Sequence, residues 1–285
     1  MPEPHVYRCP TRWGDMDAQG HLNNAAYVDY LQEARVDFLL AAPPEGRALL
    51  DSGVLVVNHQ VEYLRPVNFG GRPLVINLWV DQIGGSRFTI GYDVLDGDDL
   101  AARARTGLAP FDLARDTLRR LTDAERAMLT PHLAPAEPLR PVAKARSTGH
   151  DHRFALRVRW SDLDSYGHVN NVKFYDYIQE ARIALIHDTV GWESADVWMV
   201  ARQDLEYRRP LDFRPEPYEV GTFVSNVGTR SFTLEAELRD PGTQTVFATA
   251  RTVAVGVTPL TDGQRSALAV WAADPELLRP PPSLV

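Results

Sequence analysis

Residues 12–35, RWGDMDAQGHLNNAAYVDYLQEAR, return as residues 159–182, RWSDLDSYGHVNNVKFYDYIQEAR, aligned without a gap at an offset of 147 and identical at fourteen of twenty-four positions. A repeat of this length means that one supersecondary plan has been written twice. The echo continues in order: VEYLRPVNF (61–69) is answered by LEYRRPLDF (205–213), SRFTI (86–90) by RSFTL (230–234), and LTDAER (121–126) by LTDGQR (260–265). Each half is therefore expected to fold as one copy of the same domain, over 1–130 and 152–285. The Pro- and Ala-rich stretch 131–151 reads as a linker.

Within each half the periodicity changes once. Tyr27, Tyr30, Leu31, Ala34 and Phe38 make a stripe of period 3.6, and Phe174, Tyr177, Ile178, Ala181 and Leu185 repeat it. Downstream, β-branched and aromatic runs separated by Gly, Pro and Asp predict four antiparallel strands. A short helix closes each half, opened by the capping boxes Thr122/Glu125 and Thr261/Gln264. One long helix with a curved antiparallel sheet is a two-layer α+β solution. Two equivalent units in one chain imply a pseudo-dimer.

The net charge of −8 argues against coating nucleic acid or an anionic membrane surface. The N-terminus lacks a signal-peptide pattern and no apolar run reaches membrane-spanning length, so a cytoplasmic protein is expected. The single cysteine, Cys9, reads as a small strand residue. No Cys/His spacing suggests a metal, and nothing calls for an organic cofactor.

The chemistry concentrates where the loop turns into the long helix. Asp17, Gly20, His21, Asn23 and Asn24 are matched by Asp164, Gly167, His168, Asn170 and Asn171, while neighbours such as Ala18/Ser165 and Gln19/Tyr166 differ. A helix start presents unpaired N–H groups and the positive end of the macrodipole, which suits an anion or a developing oxyanion. A carboxylate just before it can act as general base or nucleophile toward a carbonyl held there. Capping alone would account for one Asp or Asn at this place, not five polar residues kept twice. Asp15 and Asp162, two residues earlier, fit the structural role of turning or salt-bridging the loop. Glu33, Arg35, Glu180 and Arg182 read as mid-helix ion pairs or hydrogen-bond anchors.

WGDMDAQG and WSDLDSYG resemble the motif of the hotdog-fold thioesterases, the group that includes 4-hydroxybenzoyl-CoA thioesterase and small bacterial acyl-CoA thioesterases. The second copy, DSYGHVNNVKF with the later LEYRR, is also similar to plant acyl-ACP thioesterases, apart from Tyr166 at an asparagine position and Phe174 for a tyrosine. The resemblance implies two tandem hotdog units and hydrolysis of acyl-CoA or acyl-carrier-protein thioesters. It implies Asp17 and Asp164 as the catalytic carboxylates, and the Asn24 and Asn171 amides as donors to the carbonyl oxygen. It also implies active sites at the interface of two hotdog units, with an acyl channel beside the helix walled by Tyr27, Val56, Phe174 and Trp198. Arg65, Arg208 and Arg209 are the cations expected to meet a phosphopantetheine or CoA phosphate. A hotdog hydratase or dehydratase would place Asp and His around an Asn-Pro turn that DAQGHLNN lacks, and a non-catalytic acyl-binding module would not need both aspartates.

Overall fold

A computed structural model of the chain describes residues 3–42, 44–70, 72–136, 138–140, 149–191 and 198–273. It divides into two compact units: Met1–Arg140 with Asp164–Gly167, and Pro141–Leu163 with His168–Val285.

The first unit opens with β1 (His5–Cys9), a 3-10 turn (Trp13–Asp15), the long helix α1 (Asn24–Ala41) and a second helix α2 (Pro44–Ser52). Then come β2 (Val54–Tyr63), β3 (Leu74–Ile83), β4 (Phe88–Asp96), β5 (Asp99–Asp112), the short β6 (Thr117–Leu118) and α3 (Asp123–Leu129). All strand pairings are antiparallel, in the order β1-β3-β4-β5-β2. The second unit repeats the plan with β7 (His152–Leu156), a 3-10 turn (Trp160–Asp162), α4 (Lys173–Val190), β8 (Trp198–Tyr207), β9 (Tyr218–Val227), β10 (Ser231–Arg239), β11 (Val246–Gly256) and α5 (Asp262–Ala269). Its order is β7-β9-β10-β11-β8, the same topology.

The cores are those the periodicity predicts. All five residues of each helical stripe are buried, and in the first unit they meet an inward face made by Leu74, Ile76, Leu78 and Val80 of β3 and Phe88, Ile90, Tyr92 and Val94 of β4. Each such side chain contributes about 1.5–3 kcal/mol on burial. Both capping boxes form. Each unit also closes in the same way, by a parallel bridge onto its second strand, Val80 to Leu133 and Val224 to Ala272. Within the stretch read as linker, Ala134 N donates to Val80 O at 2.8 Å and Ala136 N to Asp81 at 3.0 Å. Residues 141–148 lie outside the described residues.

Three local features depart from expectation. Helix α2 was not foreseen; Pro44 stands at its first position, where the missing N–H is harmless, and Leu49 is its buried anchor. Arg35 is buried and donates to the Tyr92 hydroxyl at 3.4 Å, while Glu33 is exposed, so the helix makes no Glu33–Arg35 pair. Cys9 is buried as a strand residue, and burial pushes its thiol up to about 11. Among the described residues no helix is long and apolar enough to cross a membrane.

Candidate active site

Two aspartates of each loop have separated into different jobs. Asp15 accepts hydrogen bonds from the Tyr30 hydroxyl at 2.5 Å and Arg12 Nε at 2.7 Å. Asp162 does the same with the Tyr177 hydroxyl at 2.7 Å, the Arg159 amide at 2.9 Å and the Arg159 guanidinium. Burial alone would raise the Asp162 carboxyl, but the donors from Tyr177 and Arg159 outweigh it and hold it below its ordinary value. Burial, with the partner aspartate, pushes both tyrosine hydroxyls well up, so they remain donors. The backbone carbonyls of Asp15 and Asp162 accept from the Asn23 and Asn170 amides at 2.9 and 2.8 Å, which ties each loop to its helix start.

Asp17 and Asp164 lie two residues further on, partly buried. Asp17 Oδ1 accepts from the amides of Gln19 at 2.9 Å and His21 at 3.1 Å, and Asp17 N donates to His21 O at 2.7 Å. This small closed loop orients the carboxylate from one oxygen. Asp164 Oδ1 accepts from the Tyr166 amide at 2.9 Å in the same turn. Gly20 N and Gly167 N donate to the Asp17 and Asp164 carbonyls, both at 3.0 Å. Both glycines adopt positive φ, +79° and +82°, which an L side chain would strain.

Neither aspartate caps a helix; the asparagines do. Asn23 Oδ1 accepts from Ala25 N at 2.9 Å and its carbonyl from Ala26 N at 3.0 Å. Asn170 does likewise with Val172 N at 3.2 Å and Lys173 N at 2.9 Å. The regular helix nevertheless begins at Asn24 in one copy and Lys173 in the other, leaving Asn171 in a turn just before it. With matching cap bonds, this is a difference of boundary rather than of local design.

Sequence reasoning missed the residues that pin the helix starts from below. The Tyr63 hydroxyl donates to the Asn24 carbonyl at 2.8 Å, and the Tyr207 hydroxyl to the Asn171 carbonyl at 2.7 Å. The signal was there in the repeated EY of VEYLRP and LEYRRP. The proposed channel walls Tyr27 and Phe174 pack edge-on against these two tyrosines, with centroids 5.2 and 5.1 Å apart. Trp198 packs edge-on against Phe232 at the rim of the second unit's core, and Val56 is a half-buried residue of β2. His21 bridges backbone to backbone with Asn68, whereas His168 Nε2 lies 3.8 Å from Asp212.

The expected cations are exposed. Arg65 pairs with Asp99 at 2.6 Å, Arg208 lies 3.9 Å from Glu206, and Arg209 is exposed beside it.

The family model of the thioesterase-like superfamily matches residues 11–142 and again 158–275. The "Putative esterase" of Aquifex aeolicus (strain VF5) is 30% identical over 105 residues, 36% of this chain and 81% of that protein. The chloroplastic palmitoyl-acyl carrier protein thioesterase of Arabidopsis thaliana is 29% identical over 155 residues, 49% of this chain but only 34% of that enzyme's length. The solved structure of 12:0-ACP thioesterase from Umbellularia californica shares the fold, with a TM-score of 0.70 at 19% identity over 90% of this chain and 94% of that one. With one family model matched twice over most of its length, the chain belongs to the thioesterase-like superfamily and is a hotdog-fold thioester hydrolase.

Proposed function

We propose that the substrate is a long-arm acyl thioester, acyl-CoA or acyl-carrier protein, and that Asp17 and Asp164 carry out the attack on its carbonyl. One observation supports this above the others. Each repeat has a carboxylate that is oriented by its own turn, relieved of capping by an asparagine, and placed just ahead of a helix start.

The chemistry is acyl transfer to water. As general base the Asp takes a proton from water while the water oxygen adds to the carbonyl carbon. The amide of Asn24 or Asn171 stabilises the oxyanion, and collapse breaks the C–S bond as the proton passes to the leaving sulfur. As nucleophile the same carboxylate would instead form a mixed anhydride that water then opens. A single turnover in isotopically labelled water separates the routes: label entering the enzyme carboxylate requires the anhydride.

The assignment is tested by thiol release from a panel of acyl-CoA and acyl-carrier-protein thioesters. Asp17→Asn and Asp164→Asn should each leave turnover from the other copy, and the double variant should lose about 10²-fold or more. A double variant as active as wild type would end the assignment. The panel also decides the carrier. If Arg208 and Arg209 meet the CoA phosphates, replacing both with Ala raises KM for acyl-CoA and leaves it unchanged for acyl-pantetheine.

A further inference from the structure

The two catalytic loops share a turn but not an anchor. At the position after the Asp-Ser or Asp-Ala step the first copy has Gln19, which is exposed, and the second has Tyr166, which is half-buried. The segment Asp164–Gly167 groups with the first compact unit. There the Tyr166 hydroxyl donates to the Leu50 carbonyl in the last turn of α2 at 2.8 Å. Burial pushes this hydroxyl up, against the opposing hydrogen bond of the Val54 backbone at the start of β2. The phenol is therefore a protonated donor held across the α2–β2 corner, and the amide of the same residue is the one that donates to Asp164 Oδ1.

A residue that holds the carboxylate from its backbone while its ring is fixed to a helix end removes freedom from that carboxylate. Gln19 offers the same amide to Asp17, at the same 2.9 Å, from a side chain in solvent. Displacements of about 1 Å at a reacting group cost up to 10²-fold in rate, so a difference in anchoring becomes a difference in turnover. α2 itself belongs to the first repeat, and Tyr166 to the second, so the asymmetry is built from two places where the copies have diverged.

We infer that Tyr166 is a positioning residue for Asp164, and that its bond to the Leu50 carbonyl makes the Asp164 site the faster of the two. The inference rests on the reading of Asp17 and Asp164 as the attacking carboxylates.

The test isolates each site by disabling the other. With an acyl-CoA hydrolysed by wild type, Asp17→Asn should retain most of kcat and Asp164→Asn the smaller part. Adding Tyr166→Phe to Asp17→Asn should lower kcat about tenfold with KM little changed. Adding Tyr166→Phe to Asp164→Asn should leave the residual kcat where it was, which a general loosening of the fold would not do. Thermal unfolding of Tyr166→Phe alone checks that the fold is intact. Greater activity in Asp164→Asn than in Asp17→Asn overturns the inference, as does an unchanged kcat on adding Tyr166→Phe to Asp17→Asn. Full activity in the Asp17→Asn/Asp164→Asn double variant instead overturns the assignment of the carboxylates themselves.

Discussion

At the scale of single residues, the Asp-x-Asp of each loop divides structure from chemistry. Asp15 and Asp162 are fixed by a tyrosine and an arginine, whereas Asp17 and Asp164 are fixed only by local amides. That division was legible in outline, because the second aspartate fitted the family motif and the first fitted a loop-turning role. The tyrosine partners were not. Tyr30 and Tyr177 read as apolar stripe residues, and periodicity reports a ring's burial, not where its hydroxyl points. Asp162 is 1% exposed and its folded-state pKa is depressed below 3.8. Its stabilising contribution is thus present above the unfolded carboxylate value and is lost as pH falls through the lower, folded one. Denaturant melts should show wild type losing stability steeply below about pH 4, and Asp162→Asn starting less stable at neutral pH but falling less steeply on acidification. Tyr177→Phe, which removes one donor from a buried carboxylate, should cost about 1–3 kcal/mol in the same melts.

At the scale of elements, the long helices, the strand order and both terminal capping boxes followed from pattern because each has a local cause: a stripe, an alternation, a side chain three residues from its partner. Helix α2 has a weaker signature. Nine residues with a proline at the first position and a buried leucine give too few turns for a period to show. What holds α2 in place is a close approach. A Cβ on Gly46 would stand 2.2 Å from the Leu39 carbonyl oxygen of α1, a backbone atom that cannot swing aside. Gly46→Ala should therefore destabilise by about 1–3 kcal/mol, read as a lower Tm, and by displacing α2 it should slow Asp164 turnover more than Asp17 turnover. The Asn23 cap predicts a smaller loss: Asn23→Ala should cost about 1 kcal/mol of stability.

At the scale of the whole molecule, the duplication was plain from the first two dozen residues of each copy, and it carried the fold with it. Divergence between the copies was visible only as unlike letters. Gln19 against Tyr166 and Asn68 against Asp212 acquire meaning once their neighbours are known, since a difference in sequence does not say which contact it makes. The grouping of Asp164–Gly167 with the first unit could not have been read from composition, because it depends on the chain returning to an element laid down more than a hundred residues earlier. A fragment of residues 1–140 lacks that segment, so it should melt at a lower temperature alone than when co-expressed with 141–285, as thermal unfolding of the two preparations would show.

The borrowed tetrapeptide also bears on how such a gene can evolve. Two copies joined end to end might be expected to stay separable, each able to survive loss of the other. Here a stop codon between them would strip the surviving half of four residues it counts as its own, so the duplication has become a one-way step.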